Sequence, residues 1–169
     1  MIAPGLHFAT LIGFAGLMVA AAVEDARRLV IPNAVVLALC ALWLLRTATG
    51  SDASLPSVAA AVAVAASVFL AGAAVFAGGL IGGGDVKLIS AACLWAGASR
   101  TAALLLLTGL LGGVLALVCL TPLGTRFGSW RREPNAATMA AGVTRGTPVP
   151  YGMAIATAAL IVTLGPQFS

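Results

Sequence analysis

The chain has little charge of either sign and few groups for water-borne chemistry. Charged residues make up 8% of its 169 positions and hydrophobic ones 61%, with a mean hydropathy of +1.10. Soluble domains carry about 25% charged residues. A water-soluble globule is therefore excluded, and the core is expected to be shared with lipid. His7 is the single histidine, so a histidine-based triad or metal cluster has no second member to recruit. Cys40, Cys93 and Cys119 lie far apart inside apolar runs, and no Cys-x-x-Cys occurs. They read as small buried hydrophobes and not as a zinc or redox site. No basic patch is interleaved with aromatics, which argues against nucleic acid as a partner. Residues 1–7 lack the charged region of a cleaved signal peptide, so the first apolar run is expected to be retained as a span.

What is present is a series of apolar segments. A membrane helix needs about 20 mainly apolar residues. Candidate spans run over about 6–23, 31–45, 57–77, 86–98, 101–120 and 150–164. Pro32 falls in the first turn of the second, where its missing N–H costs nothing. The fourth is short for lipid and is expected to be tilted or covered by protein. Ala in the third span, with Gly109, Gly112 and Gly113 in the fifth, permits close helix contact. The expected fold is all-α: a polytopic membrane protein forming a compact bundle of about six transmembrane helices in a single domain over 1–169.

Charge placement orients these spans. Arg27, Arg28, Lys87, Arg126, Arg131, Arg132 and Arg145 fall on one side, and only Arg46 and Arg100 on the other. By the positive-inside rule the first set is cytoplasmic and both termini face away from the cytoplasm. The segment 121–149 becomes a cytoplasmic loop, with Trp130 beside Arg131 and Arg132. Such a basic segment is suited to lying on anionic headgroups.

Against this background five acids stand out. Asp25 opens the stretch Asp25-Ala26-Arg27-Arg28-Leu29-Val30-Ile31-Pro32-Asn33, and Asp85 follows the glycine run in Gly82-Gly83-Gly84-Asp85-Val86-Lys87. An ionisable residue at a membrane span is a functional hypothesis by default. Alternation of the spans puts Asp25 and Asp85 on the same, cytoplasmic, side. Two carboxyls held close cannot both ionise easily, so they share a proton, and the titration belongs to the pair. One can then take a proton from water while the other protonates a carbonyl oxygen. A helix N-terminus favours negative charge, which would make Asp85 the base and Asp25 the acid. Arg27 and Arg28 act in the opposite sense by favouring an ionised Asp25.

The glycines Gly82, Gly83 and Gly84 leave room for another backbone and permit positive φ. Non-helical backbone at membrane depth is tolerated where it lines a watery cavity. Taken singly, each motif has an ordinary structural explanation. Asp-Ala-Arg-Arg can be a polar loop, Gly-Gly-Gly-Asp a loop ending in a helix cap, and Lys87 a snorkelling interface lysine. Glu24 is adjacent to Asp25 and could take its place. Pro150-Tyr151-Gly152 can be an interfacial aromatic at the start of a span.

In order and placement, the set resembles the prepilin peptidases, the type IV leader peptidases among the Gly-x-Gly-Asp intramembrane aspartyl proteases. Gly82-Gly83-Gly84-Asp85 with Lys87 matches one family motif, Asp25 with Ile31-Pro32-Asn33 the other, and Pro150-Tyr151-Gly152 resembles a third. The resemblance implies Asp25 and Asp85 as the catalytic pair. Gly82, Gly84, Lys87, Ile31, Pro32 and Asn33 would then shape the site or bind substrate, with no metal and no cofactor. It implies a pilin-like precursor as partner, cut after a short basic leader at the cytoplasmic face of a bacterial inner membrane. Larger members carry an insertion with paired Cys-x-x-Cys motifs and also N-methylate the product. This chain has neither feature, so peptidase activity alone is expected. The compact form resembles the enzymes of tight-adherence (Flp-type) pilus systems. The competing class is a small proton or ion carrier, whose site would lie near the bilayer midplane; acids at span ends favour the protease.

Overall fold

Ala- and Leu-rich segments of low polarity form helices whose ends are set by a few local devices. The structure, a computed structural model, describes residues 4–49, 54–121 and 149–165, and these are all helix or short connection. The helices are α1 (Pro4–Arg28), α2 (Asn33–Thr49), α3 (Leu55–Ala77), α4 (Gly83–Leu120) and α5 (Tyr151–Leu164). Among the described residues, Gly5–Arg28, Leu55–Ala77 and Gly83–Leu120 are long and apolar enough to cross a membrane. The expected basic loop, with Arg126, Trp130, Arg131, Arg132 and Arg145, falls in 122–148, outside the described residues.

Helix α1 continues past the hydrophobic stretch, so residues 25–28 are its last turn and not a loop. It stops at Leu29, whose φ of 54° is left-handed while its N–H still reaches Asp25 O at 2.9 Å. A non-glycine residue in that region is costly, and the reversal it produces aims residues 31–33 back towards the bundle. Pro32 then precedes α2, where it blocks helix in the residue before it. At α3 the Ser54 hydroxyl accepts the Ser57 N–H, an N-cap. Its far end is a Schellman turn: Leu80 N–H donates to Val75 O and Gly79 N–H to Phe76 O, with Gly79 at φ 72°. A glycine in the left-handed conformation is the usual way to satisfy those last carbonyls.

Helix α4 holds the bundle together, packing on α2, α3 and α5, while α1 packs on α2 and α5. Its 38 residues would span roughly 57 Å if straight, at 1.5 Å each, about twice a bilayer's hydrocarbon core. It breaks at Gly97, where φ is 71° and ψ 170°, a region essentially restricted to glycine. The two segments, 83–96 and 98–120, correspond to the fourth and fifth expected spans. The short first segment is covered by protein, with Val86, Leu88, Ala91, Ala92, Cys93, Trp95 and Ala96 buried. Trp95 stacks on Phe14 of α1 at 4.5 Å between ring centroids. Its indole N–H donates to Leu39 O of α2 at 3.1 Å, satisfying the polar atom that a buried tryptophan brings.

Candidate active site

Four contacts show that one end of the bundle collects the two aspartate motifs and the Pro150-Tyr151-Gly152 turn. Asp25, in the last turn of α1, lies against Gly152 in the first turn of α5: a Cβ at 152 would stand 2.8 Å from Asp25 Cγ. Gly84, in the first turn of α4, is in contact with Ile31, since a Cβ there would stand 3.2 Å from Ile31 Cβ. Lys87 Nζ donates to Asn33 Oδ1 at 3.0 Å, tying α4 to the start of α2. Tyr151 packs against Gly112, so the second segment of α4 returns to the same end.

Asp25 is 4% exposed. Glu24 points elsewhere, its Oε2 lying 3.3 Å from Arg28 Nε on the exposed side of α1. Such an exposed i,i+4 pair contributes only about 0.3–0.5 kcal/mol, but it separates the two adjacent acids by direction: Asp25 faces the helix junction and Glu24 faces away. Asp85 is the third residue of α4 and partly buried. Its carboxylate accepts the backbone N–H of Gly82, the reciprocal half of a capping box, with the N-cap side chain absent because Gly82 has none. The two aspartates, far apart in sequence and on different helices, are close enough to interact electrostatically.

The structure corrects the expected role of the glycine run. Gly82 has φ −75°, and Gly83 and Gly84 are already helical; among the described glycines, positive φ occurs at Gly79 and Gly97. Gly82–Gly84 therefore serve by lacking bulk. A Cβ on Gly82 would come within 2.9 Å of Asp85 Oδ2, and one on Gly83 within 3.3 Å of Phe76. The non-helical backbone expected at 82–84 is confined to the short turn before Gly83. Pro32 is half-buried between Ile31 and the exposed Asn33 at the entry to α2.

Gly152 belongs to the site, although its sequence offers no reactive group. The signal was a glycine in a helical first turn, which costs about 1 kcal/mol relative to alanine and so calls for a packing reason. Beside Asp25 a shallow apolar groove of about 200 Å³ runs between α1 and α5, lined by Met18, Ala22, Ala26, Met153, Ala156 and Thr157 among others.

Residues 12–117 match the type IV leader peptidase family. The chain belongs to that family. The match spans well over half of the chain and includes both aspartate motifs and the Lys87–Asn33 pair, while Gly152 lies beyond it. No curated protein and no solved structure matches the chain. Family membership and the apolar helices together make it a membrane-associated peptidase of the leader-peptidase type.

Proposed function

We propose that the chain is an aspartic endopeptidase that removes the basic leader of Flp-type prepilin precursors at the cytoplasmic face of the inner membrane. The observation carrying this reading is the meeting of Asp25 and Asp85 at the end where Gly152, Ile31 and the Lys87–Asn33 pair also converge. A bare pair of acids at a helix end serves many ends; a pair flanked by two glycines, Gly82 and Gly152, whose missing Cβ atoms clear the carboxyls fits an extended peptide brought to bonding distance.

In the reaction, one aspartate of the pair is ionised and takes a proton from water. The hydroxide adds to the scissile carbonyl carbon as the protonated partner hydrogen-bonds its oxygen and gives up its proton there. Collapse of the tetrahedral adduct breaks the C–N bond: one of its hydroxyl protons returns to the second aspartate as the carbonyl reforms, and the leaving amine takes the proton held by the first, which restores the pair. The position of Asp85 at a helix N-terminus favours the charge on that residue. The apolar segment of the precursor lies along the α1–α5 groove, which places the residue ahead of it beside Asp25. The three cysteines are scattered, and we propose cleavage without methyl transfer.

Co-expression with a Flp-type prepilin tests the reading. Wild type and Glu24→Gln are expected to convert precursor to mature pilin, and Asp25→Asn and Asp85→Asn to stop conversion. Processing by either aspartate variant would refute the dyad. Proton flux into liposomes abolished by Asp85→Asn, with no cleavage by wild type, would favour a carrier.

A further inference from the structure

The opposite end of the bundle holds the only two arginines on that side of the charge pattern, and they stand together. Arg46 is in the last turn of α2, and Arg100 follows the break in α4. The two guanidinium groups are close enough to repel each other. Arg46 lies over the Trp95 ring, its Cζ 5.5 Å from the centroid, and Arg100 Nη1 donates to Val162 O of α5 at 3.3 Å. Arg46 Nη1 is shielded from solvent and has no hydrogen-bond partner among the described residues. The described acids, Glu24, Asp25 and Asp85, all belong to the other end.

Like charges held together need an opposing charge, and a buried guanidinium N–H without an acceptor is costly. Here the protein fixes both arginines instead of letting them diverge: one is held by a cation–π contact, the other by a carbonyl. Guanidinium groups are matched to phosphate because they offer parallel N–H donors. We propose that Arg46 and Arg100, backed by Trp95, form a binding site for an anionic phosphate group, placed at helix ends where a bilayer presents its headgroups. The site is independent of the peptidase reading, since it lies at the other end of the bundle.

The test uses the full-length protein in neutral detergent. Binding of phosphatidylglycerol and of phosphatidylcholine is measured by native mass spectrometry, and thermal stabilisation by phosphatidylglycerol and by inorganic phosphate is measured in parallel. Wild type is expected to bind phosphatidylglycerol in preference to phosphatidylcholine, and Arg46→Gln and Arg100→Gln each to weaken it about tenfold or more, the loss of a charge-assisted hydrogen bond. If inorganic phosphate alone stabilises wild type and not the variants, the same site takes a soluble phosphate. Arg46→Lys keeps the charge and the fold but loses the fork, and is expected to bind more weakly than wild type. Equal binding by Arg46→Lys, or no dependence on either arginine, would overturn the proposal. So would Asp52→Asn reproducing the loss seen in Arg46→Gln, because the counter-charge would then be the chain's own carboxylate in the segment after α2.

Discussion

A methyl group on residue 152 would stand 2.8 Å from both Cγ and Oδ2 of Asp25 and 2.9 Å from its Cβ. Rotating the carboxyl cannot relieve all three contacts, so Gly152→Ala must shift α1 against α5 or drive Asp25 off its position. A displacement of about 1 Å at reacting groups costs on the order of 100-fold in rate. Gly152→Ala is therefore expected to cut pilin cleavage by about that factor while the protein still inserts and purifies, as read from precursor and mature bands at matched enzyme levels. At position 82 the added methyl meets only the tip of Asp85, at 2.9 Å from Oδ2. Gly82→Ala is expected to lose less activity, because that carboxyl can turn at the expense of its bond from the Gly82 N–H. The aspartates were legible from the sequence because acids are scarce in so apolar a chain. Gly152 was visible only as part of a motif, because a glycine's reason for being present lies in the neighbour it admits, and that neighbour is more than a hundred positions away.

At the level of helices, the break in α4 depends on a single residue. Gly97 has φ 71° and ψ 170°, and any side chain there is strained by about 1–3 kcal/mol. Nothing lies within 4 Å of a Cβ at this position, so the cost is conformational and not steric. Gly97→Ala is expected to lower the melting temperature in detergent while leaving the aspartate end able to cleave pilin at low temperature. The place of this break was readable, since apolar runs stop and restart around Ala98–Thr101. Which glycine takes positive φ was not: composition does not distinguish glycines kept for space, as at 82–84, from those kept for conformation, as at 79 and 97. The α1–α5 groove was equally hidden, because its lining of Met18, Ala22, Met153 and Thr157 looks like any other apolar helix surface. Thr157→Trp on the exposed rim is expected to raise KM for a full prepilin about tenfold with kcat nearly unchanged, the pattern of lost uniform binding. A short leader peptide lacking the apolar segment should be cut equally well by both forms.

Over the whole molecule, the folding back of α4 at Gly97 makes the two ends chemically different. One end gathers Asp25, Asp85, Lys87, Asn33 and Gly152; the other gathers Arg46, Arg100 and Trp95. The α1 terminus at Arg27–Arg28 and the α4 start at Lys87 sit with the acids, so the cation-rich and acid-bearing ends coincide. The charge bias of the sequence thus supplies an orientation for the site, and the fold supplies the reason both acids inherit it: Asp25 closes the first helix and Asp85 opens α4 after the third, so both fall at the same end of the bundle. A peptidase acting on a cytoplasmic leader must present that end inward. In a variant with Cys40, Cys93 and Cys119 replaced by serine, a cysteine introduced at Ser54 is expected to react with a membrane-impermeant maleimide in intact cells. One introduced at Arg27 is expected to react only after the membrane is permeabilised. The reverse pattern would place Asp25 and Asp85 outside the cytoplasm, where no uncut leader is exposed, and would remove the substrate proposed for them while leaving the family assignment intact.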